Sequence, residues 1–109
     1  MPPAERPEGK LVRDGVPEII RASGAHPRFY AADGPEYLER LGAKLCEEAE
    51  EARTAPPGEL LEELADVLEV LHALAAAHGA DFARVEQLRR DKAAARGGFT
   101  DRIVWTGNE

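Results

Sequence analysis

Two helical runs joined by Thr54-Ala55-Pro56-Pro57-Gly58 constrain this chain more than anything else in it. From Pro35 to about Arg53 the apolar positions are Leu38, Leu41, Leu45, Ala49 and Ala52, spaced by threes and fours as a helix requires. From Glu59 to His78 a second face repeats through Leu60, Leu61, Leu64, Val67, Leu68, Leu71, Leu74 and Ala75. Pro-Pro-Gly cannot continue a helix, so the chain turns there and the two runs come back side by side. The expected centre is an antiparallel helix pair.

The flanks carry their own start and stop signals. Asp33-Gly34-Pro35 opens the first long helix and Gly79 closes the second. Asp81 caps a third helix running to about Arg96, stopped by Gly97-Gly98. Upstream, Lys10 to Gly15 reads as an extended piece ending in a turn, and Pro17–Ala22 as a short helix. Residues 99–105 are the one β-like stretch, expected to cover the core or to pair with residues 10–13. The predicted class is all-α: a helical bundle with a short β-like C-terminal tail, as a single domain over 10–109 behind a flexible lead at 1–9.

At 109 residues the chain has room for one domain only. A net charge of −7 argues against gripping a nucleic acid polymer by its phosphates. No run of about 18 apolar residues offers a membrane span. One cysteine, Cys46, forms no internal disulfide and is expected to pack as a small apolar residue; no secretory signal is read at the start, so a cytoplasmic protein is expected. The charge is unevenly laid out. Residues 36–69 hold eleven acids against Arg40, Lys44 and Arg53, whereas residues 82–109 are net positive by two. An acidic middle followed by a basic end suits a polyanion held between metal ions and Lys/Arg.

On a helical wheel the apolar positions of the first long helix span about 80°. Glu48 sits on one edge of that arc, Glu51 and Glu47 follow round the same side, and Glu50 points elsewhere. On the second helix Glu63 lies just past the apolar edge, with Asp66 one turn on. Antiparallel packing brings the two sets face to face. Like charges one turn apart already repel on a single helix; two sets facing each other beside apolar walls cost more, and a divalent cation reverses the sign. Mg²⁺ accepts such hard oxygen ligands. The competing reading is a solvated acidic face that docks a basic protein, since glutamate is also a strong helix former.

The stretch Leu45-Cys46-Glu47-Glu48-Ala49-Glu50-Glu51, followed by Glu62-Glu63-Leu64-Ala65-Asp66-Val67-Leu68, resembles the MazG-like all-α nucleoside triphosphate pyrophosphohydrolase superfamily. The shared signature is EExxE, a spacer, then ExxD. Lys10-Leu11-Val12-Arg13-Asp14, Pro17-Glu18-Ile19-Ile20 and Lys92…Arg96-Gly97-Gly98-Phe99 extend the likeness to a short subgroup called phosphoribosyl-ATP pyrophosphohydrolase-like. The resemblance implies Mg²⁺-dependent hydrolysis, with Mn²⁺ as a substitute, between the α- and β-phosphates of a nucleoside triphosphate. It implies Glu47, Glu48, Glu51, Glu63 and Asp66 as metal ligands. Glu48 or Glu51 would orient the attacking water. Lys92, Arg96, Lys10 and Arg13 would contact phosphate. Phosphoribosyl-ATP is the alternative substrate.

A chain of this size buries only about 60–65% of its unfolded surface. The apolar arc of the second helix, with Val70 and Ala73 outside its main face, is wider than one neighbour needs. A homodimer or homotetramer is expected.

Overall fold

A computed structural model describes residues 7–109. The described chain forms four helices and no strand: α1 (Val16–Ala22), α2 (Gly34–Thr54), α3 (Leu60–Ala77) and α4 (Phe82–Arg96). The all-α expectation holds, and each helix begins and ends within a residue of where the punctuation placed it. The lead predicted over 1–9 falls mostly outside the described residues.

Local chemistry explains the boundaries. Asp33 caps α2, its Oδ1 accepting from the Glu36 amide at 2.8 Å, and Pro35 sits in the first turn, where its missing N–H costs nothing. The end of α3 is a Schellman motif: the Ala80 amide donates to the Ala75 carbonyl and the Gly79 amide to that of Ala76, both at 2.9 Å. That geometry needs a left-handed residue, and Gly79 has φ of 75°. Asp81 caps α4 through Oδ1 and the Ala83 amide.

α2 and α3 pack along their length; α4 touches α3 alone, and α1 packs against none of the other helices. The buried apolar core is small: Leu41 (2% exposed), Val70 and Ala75. The radius of gyration is 18.3 Å, against about 13 Å for a compact domain of this length.

Three expectations are corrected. The main leucine face of α3 does not meet α2. The helices instead join through the side bearing Val70, leaving Leu61 79% exposed and Leu64 and Leu68 about half so. One neighbouring helix covers one stripe, and here it covers the stripe that carries Glu63 and Asp66. Residues 99–105 form no strand and cover nothing: Phe99, Ile103, Val104 and Trp105 are all at least 77% exposed. With no sheet edge to join, the β-branched run has nothing to pair with. Cys46 is exposed rather than packed. His72 is also exposed, though its ring stacks on Phe82 at 3.7 Å.

Candidate metal centre

The α2–α3 seam brings together three of the five predicted ligands. Glu48, Glu63 and Asp66 each present a carboxylate oxygen within 4.8 Å of the other two. Glu63 and Asp66 share a face of α3 because they are one turn apart, and Glu48 reaches them across the helix interface. Glu48 is buried, at 6% exposure, and the other two are half-buried. Glu48 Oε2 and Glu63 Oε2 are buried without any hydrogen-bond partner. An orphaned buried carboxylate oxygen is costly, and here two lie in one cluster.

Glu47 and Glu51 lie at its margin. Glu47 is taken up by two cations, Lys10 Nζ at 3.5 Å and Lys44 Nζ at 3.7 Å. Glu51 is exposed yet feels the cluster: the Glu48 charge foremost, then desolvation, a hydrogen bond with Glu48 and the charges of Glu63 and Glu47 hold its carboxyl above the usual range. Glu50 is turned away, as its wheel position predicts, and pairs with Arg53.

Cations rim the carboxylates. Arg13 Nη2 donates to Asp66 Oδ1 at 2.8 Å, and Lys44 Nζ lies 3.0 Å from Glu48 Oε1. Burial pulls the Lys44 ammonium down, but its bond to Glu48 and the charges of Glu47, Glu48 and Glu51 outweigh that and raise it. Lys44 is absent from the residues singled out by sequence; its signal is spacing, three and four positions before Glu47 and Glu48. Arg40 is the second residue missed. Its guanidinium donates to the Gly9 and Pro7 carbonyls and to Glu36 Oε2, tying the N-terminal strap to α2 and so delivering Lys10 and Arg13 to the acids. Glu36 is itself buried and accepts from the Tyr30 hydroxyl.

Lys10 and Arg13 thus reach the carboxylates. Lys92 and Arg96 do not: both are exposed on α4, which packs on α3 alone, and no ion pair joins either to the cluster within one chain. Beside the cluster a cleft of about 540 Å³ opens between strap and helices. Glu48, Asp66, Arg13 and Lys44 are among its charged lining; Val12 and Tyr37 belong to its apolar side. A space of that size admits a small-molecule ligand.

A protein of Mycolicibacterium smegmatis (strain ATCC 700084 / mc(2)155), described only as uncharacterized, is 50% identical to this chain over 46 residues. The match covers 42% of this chain and 47% of the relative, so the chain spans about half the length of the protein it matches. No family model and no solved structure matches.

Proposed function

We propose that this chain is a Mg²⁺-dependent nucleotide pyrophosphohydrolase of the MazG-like kind, converting a nucleoside triphosphate and water to the monophosphate and pyrophosphate. The observation that carries the reading is that Glu48 and Glu63, each with a buried Oε2 lacking a hydrogen-bond partner, cluster with Asp66. Three carboxylates, two of them with a buried oxygen that lacks a hydrogen-bond partner, fit a divalent cation better than they fit a solvated acidic face. Glu48, Glu63 and Asp66 would hold the metal, with Glu47 and Glu51 alongside. When bound, such an ion neutralises phosphate oxygens and makes water easier to deprotonate.

The chain's own residues supply the rest. Phosphoryl transfer asks for positioning and charge neutralisation more than for covalent help. Arg13 and Lys10 pair with carboxylates through exposed, exchangeable contacts, and a polyphosphate beside the acids offers them stronger, charge-assisted partners. Lys44 holds Glu48 by one oxygen and leaves the other free. Glu51 stands beside Glu48 at the edge of the cluster and would orient the attacking water and accept its proton. Val12, Val16 and Tyr37 form an apolar wall against which a base or sugar can lie.

The test is a panel of nucleoside triphosphates together with phosphoribosyl-ATP, assayed for pyrophosphate with Mg²⁺ and with EDTA. At least one substrate is turned over, and EDTA stops it. Glu48→Gln and Asp66→Asn abolish turnover while helical circular dichroism stays near wild type. Turnover unchanged in both variants removes the proposed site. A Mg²⁺-insensitive thermal melt, together with an inactive panel, leaves the acidic docking face as the reading.

A further inference from the structure

The strap that carries Lys10 and Arg13 has few fixings of its own. Among the described residues, 7–12 make no backbone-to-backbone hydrogen bond, and α1, which follows them, packs against no other helix. The strap's polar anchors are side-chain contacts: Lys10 to Glu47, Arg13 to Asp66, and Arg40 to the Pro7 and Gly9 carbonyls. The first two end on acids of the candidate centre. With a divalent cation on the acids and a polyphosphate beside them, those four side chains have other partners. Arg40 is the anchor that neither event touches.

The surroundings of Arg40 suit that task. Its Nη1 donates to the Gly9 carbonyl at 2.8 Å, and its Nη2 to the Pro7 carbonyl at 2.9 Å and the Tyr30 hydroxyl at 3.3 Å. Nε donates to Glu36 Oε2 at 2.8 Å, and buried Glu36 accepts from Tyr30 as well, so the guanidinium is itself held in place. A planar fork can grip two carbonyls at once, which the point charge of a lysine cannot reproduce. Gly9 supplies the other half of the grip. Its φ is 150°, which a residue with a side chain rarely adopts, and Lys10 follows it directly. A Cβ on Gly9 would meet nothing within 4 Å, so the backbone conformation alone calls for glycine.

We infer that Arg40 is a positioning residue: by gripping the strap at Pro7 and Gly9 it keeps Lys10 and Arg13 beside the cleft after metal and nucleotide have parted them from Glu47 and Asp66. Arg40 lies outside the lining of that cleft, so it acts on a nucleotide only through the strap. The use of the two cations on phosphate rests on the hydrolase reading; the grip itself does not. The gain is entropic. A strap already tethered brings its cations to the phosphate, whereas a loose one must be ordered at the moment of binding. Nucleotide binding therefore depends on Arg40, and the chemistry at the carboxylates does not.

Two variants of the full chain test this. Arg40→Lys keeps a cation beside Glu36, and Gly9→Ala keeps Arg40 entire. Trypsin under native conditions, without metal, cuts after Lys10 and Arg13, and mass spectrometry compares those rates with the cut after Arg89 in α4. Both variants should be cut at the strap roughly fivefold faster, with the Arg89 rate unchanged, because only local opening is made easier. In the pyrophosphate assay KM should rise about tenfold, the worth of one charge-assisted hydrogen bond. kcat and the Mg²⁺ response of the thermal melt stay near wild type. In a chain already carrying Lys10→Ala and Arg13→Ala, Arg40→Lys adds nothing further to KM, a coupling that a merely structural role would not produce. Strap cleavage unchanged in both variants overturns the inference, as does cleavage that rises only in step with Arg89. A KM effect of equal size in the doubly substituted chain overturns it too. A wild type that turns over no nucleotide sinks the hydrolase reading, and strap cleavage alone then upholds or refutes the grip.

Discussion

Neutralising Glu63 should make the metal-free protein more stable and the metal-bound protein less responsive, two effects of opposite sign from one substitution. Glu63 Oε2 is buried with no hydrogen-bond partner, and Glu63 shares the cluster with Glu48 and Asp66 within 4.8 Å. At an effective dielectric of about 20, two unit charges at that separation repel by roughly 3 kcal/mol. Glu63 meets two such neighbours, but it is half-buried and Lys44 and Arg13 offset part of the field. Screening leaves a net of about 1–2 kcal/mol released by Glu63→Gln. The new amide can also donate to the orphaned Glu48 Oε2. For a domain near 100 residues this raises Tm by roughly 5–10 °C. Melts in EDTA followed by circular dichroism read that shift. Mg²⁺ at tenfold its Kd should stabilise the wild type by about 1.4 kcal/mol, and the variant by much less. Glu62→Gln, an exposed neighbour outside the cluster, is the control and should stay within about 0.5 kcal/mol of wild type. A Glu63→Gln protein that melts at or below the wild type in EDTA and keeps the full Mg²⁺ response would refute the reasoning.

Further outcomes follow from the same geometry. Arg13→Ala removes an exposed pair with Asp66 and should change stability by less than about 1 kcal/mol in urea melts, while raising KM for the nucleotide in the pyrophosphate assay. Leu41→Ala empties the most buried apolar position among the described residues and should cost about 2–5 kcal/mol, read as a lower urea midpoint at unchanged m. Glu51 is held above the ordinary carboxylate value of 4.5 by Glu48 foremost, so the native state binds more protons there than the unfolded chain does. Its contribution is therefore present below the ordinary value and is lost as pH rises through the raised one. A carbon-detected NMR titration of the Glu51 carboxyl should give a raised midpoint in EDTA that falls when Mg²⁺ is added; an ordinary midpoint in both would contradict the coupling to Glu48.

Much of this protein is written in short-range signals. The helix boundaries follow from Asp33, Pro35, Pro56-Pro57-Gly58, Gly79, Asp81 and Gly97, because caps and breakers act on backbone groups within a turn. Glu48, Glu63 and Asp66 were legible as one cluster because a 3.6-residue period and an antiparallel turn fix which side chains can face one another. The role of Arg40 was not legible, because it works through the Pro7 and Gly9 carbonyls some thirty positions away. That of Lys44 was within reach, since its ion pairs with Glu47 and Glu48 lie three and four positions along the same helix.

The sequence by itself determined an all-α chain with an antiparallel pair at its centre and acids along both members, since periodicity and punctuation are local properties. It could not say which of two apolar sides of α3 would meet α2. Leu61, Leu64 and Leu68 form the stronger stripe, yet they stay exposed while Val70 is buried. That choice belongs to the tertiary structure, because a helix with two apolar sides offers two interfaces, and loop length and competing neighbours decide between them. The same choice sets Glu63 and Asp66 against Glu48 and leaves the leucines facing outward.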